Sequence, residues 1–411
     1  MPALERVWID SLYKGRTKLL ENVRILLYKE NQQFFELLDY ENDRIFNEPF
    51  LFAYFYANKS NATLEQLLFG HIEKSKRPKA IKAKSDEQGL IYLPEIGWLK
   101  TDLQNEIVTV GIDETVNGLS VLVHGSKMPF TFEPILKIDT TLFEIVYHQH
   151  PLLAPHYFDS KNKLVNVEID TITAKQKDNL AKAFVLIRNS APEFYNLLEE
   201  AIKKVVIFND PSTKRNSFAT VSVHGCAFFN SFQPEYDEVF FIEDIAHQCG
   251  HVIFNNITHG NKDIFKIHSE TVIKEKGLWG IIMNLLEKRT LFVAFHALFT
   301  YYGITICLEA CLLKSELSEL QKHEVLGRLA FCFRKYGNDI KLLGKLDKEG
   351  QSIYFTEEGL ALYKPMENLY NRIKIEWGER LRKINLLNQP YNFSVKNFFK
   401  SNPIEVDENR R

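Results

Sequence analysis

Neither sign of charge is in excess in this chain: 51 Lys and Arg stand against 53 Asp and Glu, a net charge of −2. No bulk field therefore gathers nucleic acid or an anionic membrane. Cysteine is scarce, five among 411 residues. The odd number and the apolar neighbours of most of Cys226, Cys249, Cys307, Cys311 and Cys332 suit buried thiols in a reducing cytoplasm better than a disulfide framework. Internal repeats and low-complexity tracts are absent. The first six residues hold no signal-peptide core, and no run approaches the roughly 18 apolar residues that span a bilayer. The expectation is a cytoplasmic protein that binds neither nucleic acid nor membrane.

A hydrophobic fraction of 45% with 25% charged residues is ordinary for a globular chain, and the length allows two or three domains. Apolar residues recur with helical stagger over about 12–75. The basic segment 74–84 reads as a solvated loop. Short alternations over 89–140, punctuated by Gly, Asn and Pro, predict a small antiparallel sheet. The prolines of 148–158 mark a loop, and Thr173 is a plausible cap for a long helix over 172–203. Two strands are expected near 204–208 and 217–231, and mainly helix from 238 to 385 with a turn at 345–351. The fold class is α+β. Residues 1–165 form an N-terminal domain of helices and small sheet, 166–397 a mainly helical domain, and 398–411 a polar tail.

One carboxylate is missing where hydrolytic chemistry would need it. His247-Gln248-Cys249-Gly250-His251 lies within the apolar run 239–257. Histidines at i and i+4 share one helix face, so their nitrogens can converge on one metal. A zinc peptidase carries glutamate beside the first histidine, as general base on a metal-bound water. Gln248 cannot do that. The best third ligand is His296, on the apolar helix after Arg289; Glu309 on the same helix competes, and Glu270 is weaker. His259 and His268 fall in a polar connection. Asp244 could orient a ligand imidazole or simply suit a helix N-terminus. Arg289 could hold a carboxylate in a bidentate fork, or be a solvated helix-start arginine. His148, His150 and His156 lie in a proline-rich loop too poorly preorganised for a favoured metal site.

The order of strand, Gly225, H-x-x-x-H helix, arginine and buried-histidine helix resembles the HExxH-motif peptide-modification proteins of bacterial RiPP clusters. These include 2-oxoglutarate-dependent peptide β-hydroxylases. The resemblance spans roughly 200–365 and departs at Gln248, where the family usually has glutamate. It implies a zincin-like helical half, Fe(II) on His247, His251 and His296, 2-oxoglutarate anchored by Arg289, and a ribosomal precursor peptide as substrate with O2. The peptide would pair with a strand at 217–224 or 226–231, and the first domain would offer a leader-peptide site. An oxygenase forms its oxidant at the iron and needs no water-activating base, so Gln248 favours it over hydrolysis, whose base alone contributes about 10²–10⁴-fold. The alternatives are a zinc metallopeptidase-type protein using Glu243 or Glu270, and a peptide-binding relic without turnover.

Overall fold

Helices and short strands, some alternating in burial as β1 does over Ala80–Lys84 and others buried at every position as over Lys204–Phe208, make a mixed α+β arrangement. The computed structural model describes residues 6–56, 61–113, 118–138, 141–210, 214–259, 261, 263–273 and 289–404. It divides into two compact units that interleave along the chain. Residues 17–177 and 201–232 form a sheet-rich unit; the described parts of 1–16, 178–200 and 233–411 form a helical one. The sequence boundary at 165 is thus not where the fold divides.

The strands are β1 (Ala80–Lys84), β2 (Leu90–Leu93), β3 (Gly97–Lys100), β4 (Ile107–Ile112), β5 (Leu119–Val123), β6 (Ser126–Met128), β7 (Thr131–Pro134), β8 (Leu136–Lys137), β9 (Glu144–Ile145), β10 (Lys204–Phe208), β11 (Phe218–Ala219) and β12 (Cys226–Asn230). They form sheets ordered β1-β4-β5-β6, β2-β3-β7 and β11-β12-β10-β9-β8. The first two are antiparallel throughout, as the alternations over 89–140 predict. In the third, β10 runs parallel to β9 and β12. The basic segment is not all loop. Ile81 and Ala83 point into the core of β1 while Lys82 and Lys84 form its outer face, so the lysines are one side of a strand.

β10 opens on the buried Lys204, and Lys203 just ahead of it is buried as well. Lys204 Nζ donates to Tyr92 Oη at 2.9 Å and pairs with Glu144, and it lies 3.5 Å from Glu48. Lys203 Nζ sits 2.8 Å from Glu48 and 3.2 Å from Glu95. Burial alone would raise the Glu48 carboxyl, but Lys203 and Lys204 outweigh it and hold the group well below the carboxylate range.

The principal helices are α1 (Arg6–Glu30), α2 (Pro49–Tyr56), α3 (Asp170–Ser190), α4 (Pro192–Ala201), α5 (Glu238–Asp244), α6 (Gly250–Thr258), α7 (Leu291–Lys314), α8 (Glu319–Leu343) and α9 (Glu357–Glu376). Pro192 splits the long helix expected over 172–203, and Thr173 lies inside α3 instead of capping it. α7 corrects the reading of run length. It is long and apolar enough to cross a membrane, yet 67% of its apolar window is buried, and it packs on α5, α6, α8 and α9. The tail is shorter than expected. Val395–Ser401 is a helix with Phe398 fully buried, and 405–411 lies outside the described residues.

The first turns of α1 belong to the helical unit. Trp8 packs on Phe299 and Tyr302, with ring centroids 4.9 and 4.5 Å away. Gly15 lies against the last turn of α6, where a Cβ would fall 1.8 Å from the Asn256 carbonyl oxygen. Gly15→Ala should therefore destabilise the protein. Helix propensity returns only about 1 kcal/mol, while forcing the helices apart costs roughly 1–3 kcal/mol or more. Calorimetry of the variant checks this; an unchanged or raised Tm refutes the close approach.

Candidate functional site

Asp237 caps the helix that carries the histidine pair, its carboxylate accepting the Val239 amide at 2.8 Å. That helix is not α-helical throughout. Residues Ile245–Cys249 form a π-turn between α5 and α6, a single-turn insertion of the kind that concentrates at functional sites. His247 lies in the π-turn and His251 in the first turn of α6; their ring centroids are 5.0 Å apart. The shared face expected from i, i+4 spacing survives the insertion.

α7 crosses this segment antiparallel, through small residues. A Cβ at Gly303 would stand 3.3 Å from the Ala246 carbonyl, and one at Gly250 would stand 3.6 Å from Thr300 Cγ2. One step further along, His296 stacks on Phe254 at 4.6 Å and 17°. There His296 Nε2 meets His251 Nδ1 at 2.8 Å. His247, His251 and His296 therefore come together, and none of the three residues is fully buried. Burial pushes all three down, His251 to about 4, with the neighbouring imidazoles adding to the effect on His247 and His296. At neutral pH the three rings are uncharged, the state a metal ligand requires.

Gln248 is turned to a different task from that of a peptidase glutamate. Its Nε2 donates to Asp244 Oδ1 at 3.0 Å and lies 3.3 Å from His247 Nδ1. With the amide nitrogen as donor, His247 Nδ1 accepts and the ring proton goes to Nε2. Asp244, at the C-terminal end of α5 and not at a helix start, thus reaches the first histidine only through Gln248.

Neutral nitrogen donors suit a divalent transition metal, but the spacing as it stands does not yet hold one on three sides. Two nitrogens bound to one ion at about 2.1 Å lie roughly 3.0–3.4 Å apart. The His251–His296 contact at 2.8 Å is a hydrogen bond that must open by a few tenths of an ångström. His247 must also present Nε2 in its other tautomer. Among the described residues no group of three or more His, Cys, Asp or Glu is placed to hold an ion directly.

Several sequence candidates fall elsewhere. Arg289 precedes the α7 cap, Thr290, so it is not on the helix face of His296. It makes a two-bond fork with Asp339, at 2.7 and 3.1 Å, which occupies the donors expected to anchor a cosubstrate. Glu309 lies about 20 Å along α7 from His296 by helical rise, and it pairs with Arg372 and accepts from Trp377. Glu243 pairs with Arg328 at 2.7 Å, and Glu270 is exposed, as is His268. The 148–158 histidines take separate roles. His148 bridges Asp170 and Glu133, both at 2.8 Å, and His150 is buried among Phe50, Tyr92 and Trp98. β12 is also unavailable to an added strand, because β10 and β11 occupy both its edges.

The π-turn and the Asp244–Gln248 bond have no sequence signature. The small residues at 246, 250 and 303 were the one available sign of a close helix crossing. In sequence comparisons the chain matches no protein-family model and no curated protein.

Proposed function

We propose that this protein is a metal-dependent oxygenase, an Fe(II)- and 2-oxoglutarate-dependent hydroxylase acting on a side chain of a ribosomally made peptide. His247, His251 and His296 would hold the metal on a zincin-like helical half. One observation carries the proposal: three uncharged imidazoles gather where the neighbouring position offers an amide bonded to Asp244 instead of a base. Bound iron would supply the oxidising chemistry with O2 and the cosubstrate. The chain's own part is to keep the nitrogen donors neutral, to fix the ring faces through Phe254 and Gln248, and to withhold a water-activating carboxylate. Anchorage of the cosubstrate by Arg289 is not included, since Asp339 holds that guanidinium. A zinc peptidase is less well supported, because Glu243 is engaged by Arg328 and Glu270 is exposed.

Anaerobic Fe(II) titration with 2-oxoglutarate, following the visible metal-to-ligand charge-transfer band, tests the reading. The band should appear with the natural sequence. In His251→Ala, which removes the central ring, it should vanish and metal affinity should fall by about 100-fold or more, beyond the 10–100-fold typical of partners outside the ligand set. Tight zinc binding without the band would mean a zinc protein of another class. Binding of neither metal would leave a peptide-binding protein without turnover.

A further inference from the structure

In the sheet-rich unit, the loop ahead of β11 presents a guanidinium that its surroundings do not neutralise. Its base is pinned: Asp210 Oδ2 accepts the Arg215 amide at 2.8 Å, and Asn230 Nδ2 donates to the Arg215 carbonyl at 2.7 Å. Asn230 Oδ1 also accepts the Asp210 amide at 3.0 Å. The guanidinium carbon lies 3.7 Å from the Phe218 ring centre and 4.5 Å from that of Phe158. Phe218 is itself fixed by stacking on Phe228 at 4.3 Å across the β11–β12 pair. Among the described residues no carboxylate forms an ion pair with Arg215, and its Nε is buried without a partner.

Beside it lies a second unpaired donor. His156 Nδ1 is 3.4 Å from Ser222 Oγ, which in turn lies 2.8 Å from Thr220 Oγ1. With Ser222 donating to Nδ1, the ring proton sits on Nε2, and that atom is buried without a partner. His156 ends the turn Ala154–His156, two residues before the Phe158 ring over which the guanidinium lies, and burial with the Arg215 charge lowers its pKa. Buried polar atoms of folded proteins are nearly always paired, so two orphan donors flanking the Phe158 segment call for an explanation.

We infer that Arg215 and His156 form a binding site for a small oxyanion, a carboxylate or phosphate group of a ligand. A guanidinium fork matches either anion. The Phe218 and Phe158 rings hold its plane so that little side-chain freedom is lost on binding. The site lies apart from the histidine cluster in sequence and in compact unit, and it does not depend on the proposed oxygenase activity.

Thermal unfolding of the full chain in inorganic phosphate, acetate and chloride at matched ionic strength tests the inference. A ligand that binds only the folded state raises Tm with the logarithm of its concentration above Kd. Phosphate or acetate should raise Tm beyond chloride; phosphate alone would mark a phosphate-bearing ligand, and an equal response a carboxylate. Arg215→Met should abolish the increment. Arg215→Lys keeps the charge without the fork and should weaken binding by about tenfold. No increment over chloride, or an equal increment in both variants, overturns the site. Phosphorus-31 line broadening, with about tenfold more phosphate needed for the same effect in Arg215→Lys, gives the same answer should Arg215→Met fail to fold.

Discussion

Replacing Lys204 with methionine is expected to lower the unfolding free energy by about 3–5 kcal/mol, the cost of removing one partner from a buried ion pair. The ammonium is fully buried, as is Glu48, and Glu144 is nearly so, so water cannot take over the solvation of either carboxylate. Methionine fills the space and gains apolar burial, but it leaves two glutamates and the Tyr92 hydroxyl sharing what Lys203 alone can neutralise. The double variant Lys204→Met/Glu144→Gln should be less destabilised than the two single changes summed, since it removes a charge of each sign. Chemical denaturation of the three variants measures the coupling. A single-variant loss under about 1 kcal/mol would mean that water reaches the network. The pH dependence has a defined sign. Glu48 is held below its unfolded value, so its contribution is present above the ordinary carboxylate pKa and is lost as pH falls through the lower folded value. The deficit of Lys204→Met should accordingly shrink in acid.

That network also shows where sequence reading stops. Lys203 and Lys204 stand at the start of a strand that the β-branched residues at 205–207 made legible, yet nothing local says that their charges point inward. Their partners come from positions 48, 95 and 144: the parallel pairing of β9 and β10 sets Glu144 beside Lys204, while Glu48 just ahead of α2 and Glu95 between β2 and β3 arrive by tertiary packing. The interleaving of the two units is invisible for the same reason. Trp8 and Gly15 are specified by contacts with residues some 240–290 positions away, and α1 carries no mark of where it leaves one core for the other. At the histidine cluster more was readable. The i, i+4 pair and a histidine on a later apolar helix are local patterns, and the structure brings all three rings together. Arg289 was misplaced because spacing was counted along a helix that begins only after Thr290 caps it. Glu309 was a candidate by residue type, and its burial against Arg372 depends on α9.

Gln248→Glu should confer no peptide hydrolysis, with or without added zinc, and should make the protein less stable in a pH-dependent way. The side chain at 248 faces Asp244 Oδ1 at 3.0 Å, so a glutamate there sets two carboxylates against each other in a buried site. At that separation their repulsion is roughly 5–6 kcal/mol for an effective dielectric near 20, which the pair avoids by sharing one proton. Holding that proton costs about 1.4 kcal/mol for each pH unit above the unfolded glutamate value near 4.3. The deficit against the natural sequence should thus be small near pH 4 and reach roughly 3–4 kcal/mol at pH 7. The sign follows from a carboxyl whose folded pKa is raised: the loss grows as pH rises above the unfolded value. The same change alters His247. An oxygen acceptor in place of the amide donor moves the ring proton to Nδ1 and frees Nε2, the tautomer suited to a metal, so metal affinity should hold or rise while stability falls. Denaturation across pH 4–8, metal titration and a peptide-cleavage assay separate these effects. Zinc-dependent cleavage by the variant would show that position 248 can serve as a base, and would turn the reading from oxygenase to a peptidase that has lost its catalytic carboxylate.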